Sequence, residues 1–195
     1  MSDLAEQTRN AFEFIDKLFL ETSYLIKEVE GQLQLMPEEF VILRPSGYGV
    51  TSLTSTGLEA QNVKLWVRKR VAVAFVPQRM TKRVKGQTVT PFSDDLRVLF
   101  LTLVAFDQGQ KEPTAFFGVA ENIQNKYKKY TKFEQLMWEF TYSTFKMIGT
   151  AKKIAFEDGT CSMSGEVKKL KLFSLKTNED VRTKVVEPMV KMYRS

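Results

Sequence analysis

Histidine is absent from this chain, and cysteine occurs once, at Cys161. Without imidazole there is no Ser-His-Asp or Cys-His catalysis within the chain and no histidine-built zinc site. A single thiol makes neither an internal disulfide nor a thiolate metal cluster, which points to a reducing compartment. Long hydrophobic runs are missing too: no stretch approaches the roughly 18 apolar residues that a membrane span requires. The first ten residues, MSDLAEQTRN, are polar and acidic where a secretion signal is basic and then apolar. A cytoplasmic protein with no membrane segment is the expectation.

Acidic residues are missing from one long window. Between Glu59 and Asp94 there is no Asp or Glu, while Lys64, Arg68, Lys69, Arg70, Arg79, Lys82, Arg83 and Lys85 all fall there. The stretch RMTKRVKGQ, 79–87, holds four of these cations. A net charge of +6 favours polyanions over polycations as partners, and is equally compatible with plain solubility. A hydrophobic share of 43% with 27% charged residues is that of a globular chain, and 15 Phe imply a core of large flat side chains.

Periodicity divides the chain. Residues 3–30 read as one long amphipathic helix, with Phe12, Ile15, Leu18, Phe19, Leu25, Ile26 and Val29 in one stripe, Ser2 as N-cap and Gly31 as the stop. Thr22–Ser23 is an alternative break. Such a helix is longer than a small domain needs, so it serves either to cross a broad sheet or to pack in a dimer.

From Glu38 the period becomes extended. FVILRP (40–45) reads as a short strand, SGYGVTSL as a glycine-rich turn, and 64–77 as a longer strand with Val67, Val71, Val73 and Phe75 on one face. DLRVLFLTLVAFD (95–107) is apolar on both faces, as a central covered strand is. TAFFGVAENI (114–123) follows as its antiparallel neighbour.

A second helix spans about 132–148 and ends at Gly149. Asp158–Gly159 marks a hairpin, and 168–175 reads as a further, half-basic strand. Thr177 to Asp180 has the form of a capping box before a final helix carrying Val181, Val185, Met189 and Met192, which Pro188 should kink or break. The fold class expected is α+β: one domain over 1–195, an antiparallel sheet of about five to seven strands covered by the long N-terminal helix and two further helices.

Four constellations bear on chemistry. The connection 78–94 is long for a hairpin loop, and its cations cannot lie in a core. Val84, Thr88 and Val89 can extend it into a basic β-arm with Lys85–Gly86 at the tip, able to follow a nucleic-acid backbone; the alternative is a solvated loop or a contact for an acidic protein. In NKYKKYTKF (125–133), lysines alternate with Tyr127, Tyr130 and Phe133, the composition of a single-strand binder, although Tyr127 and Phe133 can equally tuck inward. Asp158, Glu166 and Lys168 resemble a PD-(D/E)xK nuclease set that would hold Mg²⁺, but E-x-K is short enough to arise by chance. SGYGVTSLTSTG (46–57) lacks the order of a phosphate-binding loop.

Taken together, these residues favour a non-catalytic binding or assembly module with no cofactor. Its basic surface would meet nucleic acid or another polyanion through Arg68, Arg70, Arg79, Lys82, Arg83, Lys85, Lys126, Lys128, Lys129 and Lys132. The rivals are the Mg²⁺-dependent nuclease and a protein-only adaptor or sensory domain, the latter assembled with a protein partner or as a homodimer through the N-terminal helix.

Overall fold

A computed structural model describes residues 2–43, 70–105, 112–136, 153–157 and 159–195. The fold is α+β. Helix α1 (Ser2–Gln34) leads into strand β1 (Phe40–Leu43), followed by β2 (Arg70–Pro77), a 3-10 turn (Gln78–Met80), β3 (Lys82–Val84) and β4 (Gln87–Val89). Then come β5 (Val98–Val104), β6 (Thr114–Asn125), β7 (Lys153–Glu157) and β8 (Cys161–Lys171), a 3-10 turn (Leu172–Ser174), α2 (Asn178–Val181), a π-helical segment (Arg182–Val186) and α3 (Glu187–Arg194).

Six strands form one antiparallel sheet in the order β1-β2-β5-β6-β8-β7, and β3 pairs with β4 in a separate two-stranded ribbon. Among the described residues, no helix is long and apolar enough to cross a membrane.

The sheet is covered on both faces, which explains why β5 is apolar throughout and buried at every position. On one face Val73, Phe75, Leu99, Leu101, Leu103, Phe117 and Val119 meet Val29 and Leu33 of α1 and Val181, Val185, Met189 and Met192 of the C-terminal helix. On the other, Ala74, Val76, Val98, Phe100 and Ala120 pack with Phe133, Leu136, Cys161 and Met163. Strand alternation sends successive β5 side chains into different cores. Between β6 and β8 the backbones approach so closely that a Cβ on Gly118 would stand 1.9 Å from the Glu166 carbonyl oxygen. A Cβ on Gly165 would stand 2.0 Å from that of Val119.

The capping box forms as expected: Asp180 N–H donates to the Thr177 hydroxyl at 3.1 Å, and the Asp180 carboxylate receives Thr177 N–H at 3.2 Å. Asp158–Gly159 does separate two antiparallel strands, with Asp158 itself outside the described residues.

Three expectations require correction. Gly31 does not stop α1, which continues to Gln34. A helical glycine costs about 1 kcal/mol relative to alanine, whereas burying a leucine stabilises by roughly 1.5–3 kcal/mol, and Leu33 is fully buried two residues further on. Residues 168–175 are not a separate strand: β8 runs unbroken to Lys171, paired with β6 as far as Thr114, and then turns. Lys168, Lys169 and Lys171 near its end are exposed, so the apolar alternation that would have joined the halves is interrupted.

Pro188 does not break the last helix, because it occupies the first turn of α3, where a missing N–H is tolerated. The preceding π-helical segment keeps the chain helical up to it. The turn 46–57, the rest of the strand 64–69 and the second helix beyond residue 136 lie outside the described residues.

Candidate functional site

The basic arm is a real β-hairpin. Lys82 pairs with Val89, Arg83 with Thr88 and Val84 with Gln87, closing on a two-residue turn. Both turn residues have positive φ, 49° at Lys85 and 79° at Gly86. This is the geometry that two-residue hairpin turns demand and that glycine supplies without strain. Lys82, Arg83, Lys85, Gln87 and Thr88 are exposed, as is the apolar Val84. Among the described residues, Lys82, Arg83 and Lys85 have no carboxylate partner.

A two-stranded ribbon is marginal by itself in water, and this one is held at its root. Val89 and Thr90 are buried. Thr90 N–H donates to both oxygens of the Glu134 carboxylate at 2.8 and 3.1 Å, and Phe133 N–H donates to the Thr90 carbonyl at 2.7 Å. The Phe92 and Phe133 rings meet edge-on at 6.4 Å. Glu134 is almost wholly buried, in the first turn of the helix starting at 133.

These bonds join the hairpin to the second basic segment. There, Asn125 accepts Tyr127 N–H at 3.0 Å and donates to the Tyr130 carbonyl at 2.8 Å, while Tyr130 N–H returns to the Tyr127 carbonyl at 2.9 Å. The Gln135 side chain caps Thr131 N–H and Lys132 N–H at 2.9 and 3.2 Å. The result is a turn that presents Lys126, Lys128 and Lys129 to solvent, with Lys132 half-buried.

The aromatic residues of this segment divide. Phe133 is fully buried, whereas Tyr127 is 43% exposed and stands edge-on to Tyr130 at 4.9 Å. A cleft of about 650 Å³ lies between β1, the hairpin root and Lys132, with Thr81, Gln87 and Thr88 on its wall. Two cationic stretches more than forty residues apart thus share one scaffold. Exposed cations stand on both stretches, Tyr127 offers an accessible ring, and among the described residues the arm's cations have no carboxylate partner, while Glu30 and Glu134 also line the cleft.

The remaining candidates are placed differently. Arg79 stands beside the Tyr193 hydroxyl and the Glu38 carboxylate, with the C-terminal helix rather than with the arm. Arg70 contributes backbone to the start of β2, opposite Val104, and Arg68 lies outside the described residues. Glu166 and Lys168 are exposed on β8 in cross-strand register with Val119 and Phe117, on the same face of the strand. Asp158, their supposed partner, is outside the described residues. Among the described residues, no three His, Cys, Asp or Glu side chains gather as a metal site.

Sequence reasoning missed a second charged cluster, at the chain's C-terminal end. The Arg97 guanidinium donates to the Tyr193 carbonyl and, at 3.1 Å, to the Met192 carbonyl, and pairs with Glu121 at 3.0 Å. It lies 5.3 Å from the Tyr193 ring centre. A cation on the last carbonyls of a helix satisfies orphan acceptors and the negative end of the dipole together. Arg194 closes the corner with a two-pronged pair to Glu38 at 2.7 and 2.9 Å, which holds that carboxyl below its ordinary pKa. The available signal was a lone arginine entering the otherwise apolar run LRVLFLTLV.

The chain matches no known family model, and neither a curated protein nor a solved structure similar to it was found.

Proposed function

We propose that this protein is a non-catalytic binding or assembly module that holds nucleic acid on the face formed by the β3–β4 hairpin and the 125–133 turn. The observation that carries this reading is the contrast in charge partners. The arm's three cations have no carboxylate among the described residues, yet the arm is fixed at Thr90 to the segment that presents the next cluster of lysines. Lys82, Arg83 and Lys85 meet phosphates, Lys126, Lys128 and Lys129 extend the track, and Tyr127 offers a ring to an unstacked base. Base sequence is read little, since exposed lysines act on phosphates as point charges rather than as bidentate readers of a base edge.

The test is a salt titration of binding to a fluorescent single-stranded oligonucleotide. The logarithm of affinity should fall linearly with the logarithm of salt. In the variant Lys82→Ser/Arg83→Ser/Lys85→Ser the slope should drop by about two, at about 0.7 per single-strand phosphate contact. Affinity that is indifferent to salt, or unchanged in the triple variant, removes the reading.

Assembly has an observation of its own. Helix α1 leaves Leu4, Phe12, Phe14, Leu20 and Tyr24 more than half exposed, which is more apolar surface than a helix turned wholly to water carries. Protein contact through α1 is the second reading.

A further inference from the structure

A groove of about 680 Å³ runs between α1 and the segment entering α2. Its α1 wall carries Phe14, Lys17, Glu21 and Tyr24, and its far wall carries Phe173 and Lys176. Phe14, Tyr24 and Phe173 are 59%, 56% and 56% exposed, so three aromatic rings flank a channel that the chain itself leaves open. The spacing of Phe14, Lys17, Glu21, Tyr24 and Glu28, alternating three and four, is that of a single helical seam able to receive another helix.

Charge limits what that helix can be. Helix α1 has seven carboxylates (Asp3, Glu6, Glu13, Asp16, Glu21, Glu28, Glu30) against three cations, on a chain that is otherwise basic. Laid parallel on its own copy, it would set Glu21 against Glu21 and Lys17 against Lys17. Laid antiparallel about a two-fold axis beside residue 19, the same seam becomes self-complementary. Lys17 then faces Glu21 of the second copy and Glu21 faces its Lys17, while Phe14 faces Tyr24 in both directions.

Two further features fit that register. Asn10 falls opposite Glu28, and Gln7 falls opposite Gly31, whose Cβ position is open space within the chain. The acidic first half of each α1 also lies toward Lys27 and Lys176 of the other copy's groove. No carboxylate meets a carboxylate in this arrangement, and each contact occurs twice, as a closed two-fold interface requires.

We propose that the groove is the dimer interface of this protein, filled by α1 of a second copy in that antiparallel register. The inference rests on the assembly reading of α1 and is independent of whether the basic face binds nucleic acid. It also gives Gly31 a purpose that the single chain does not.

Sedimentation of the full chain tests it, with three variants at exposed positions. Wild type should be a dimer at about 100 μM. Lys17→Glu places like charges opposite each other twice and should raise the dimer dissociation constant about tenfold or more. The exchange Lys17→Glu/Glu21→Lys restores both pairs and should restore the dimer. Phe14→Glu should give a monomer with unchanged helical circular dichroism.

A wild-type monomer at that concentration overturns the inference, and so does a dimer indifferent to Lys17→Glu. A loss in Lys17→Glu that the exchange fails to recover overturns the register. Oligonucleotide binding measured on the same samples reads the other face, so a failure of one proposal is distinguishable from a failure of both.

Discussion

The C-terminal corner and the β3–β4 arm are both rich in cations, and they use them in opposite ways. At the corner Arg97, Arg182, Lys184 and Arg194 each meet a carboxylate: Glu121, Glu179, Asp180 and Glu38, at 2.6 to 3.0 Å. On the arm, Lys82, Arg83 and Lys85 meet none among the described residues and stand in solvent. Arg97 and Arg194 tie the last helix to Glu121 and Glu38 of other elements, while Arg182 and Lys184 pair within their own helical turn. Cations on the arm contribute nothing visible to the fold, so their charge is available to a partner. The difference separates a paired cation from a solvent-facing one by its surroundings, where the residue types are the same.

Breaking the scaffold on which both regions depend should have the largest effect. Phe100→Ala removes a ring that is 1% exposed at the centre of the sheet. It should cost about 3–5 kcal/mol in urea denaturation, and Gly118→Ala, whose Cβ has no space beside Glu166, should prevent a stable fold. A Phe100→Ala protein that unfolds at the wild-type midpoint would mean that the two-faced core is misread.

Next comes the corner itself. Arg97→Met keeps most of the stem's packing and removes hydrogen bonds to two helix carbonyls, for a loss of about 1.5–3 kcal/mol. Amide exchange should rise first in Glu187–Arg194 rather than in the sheet.

Smaller effects should follow from pH. The Asp180 carboxyl is drawn down to about 2, first by the hydrogen bond from Lys184 and then by the backbone N–H of Lys176, and Glu38 is lowered mainly by Arg194. Folded-state values depressed in this way stabilise the fold above the unfolded carboxylate range. That stabilisation fades as pH falls from about 4 toward 2. Asp180→Asn should therefore lower the thermal midpoint at neutral pH, change it little near pH 2 and so flatten the acid limb; an unchanged limb would assign the acid sensitivity elsewhere.

Smallest of all for stability is the arm. Serine at Lys82, Arg83 and Lys85 should shift unfolding by less than about 0.5 kcal/mol per site while removing most oligonucleotide affinity at low salt. If the triple variant unfolds early, the arm is structural and the contrast with the corner collapses.

Several features were legible because they depend on local chemistry. The nearly continuous apolar run in 95–107 gave a strand covered on both sides, Thr177 and Asp180 gave the cap, and Lys85–Gly86 gave the tip of a hairpin, because φ preferences and side-chain pattern act over a few residues. The misread boundaries have different causes. Gly31 costs the helix about 1 kcal/mol, which the burial of Leu33 outweighs, whereas Pro188 sits in the first turn of α3, where its missing N–H is tolerated. The corner was invisible for another reason: Arg97 and Tyr193 lie ninety-six residues apart, and nothing local in either announces the other.

The sequence by itself determined the class of fold, the excess of positive charge in 60–93 and the absence of imidazole chemistry, since these follow from composition and short periods. Only the tertiary structure decided which cations face a carboxylate and which face water. It also brought the arm against the 125–133 turn through Thr90 and Glu134, and left the Phe14–Tyr24 seam of α1 uncovered. Pairing and burial are long-range outcomes of closing one sheet between two layers, and a charge acquires its role from what that closure sets beside it.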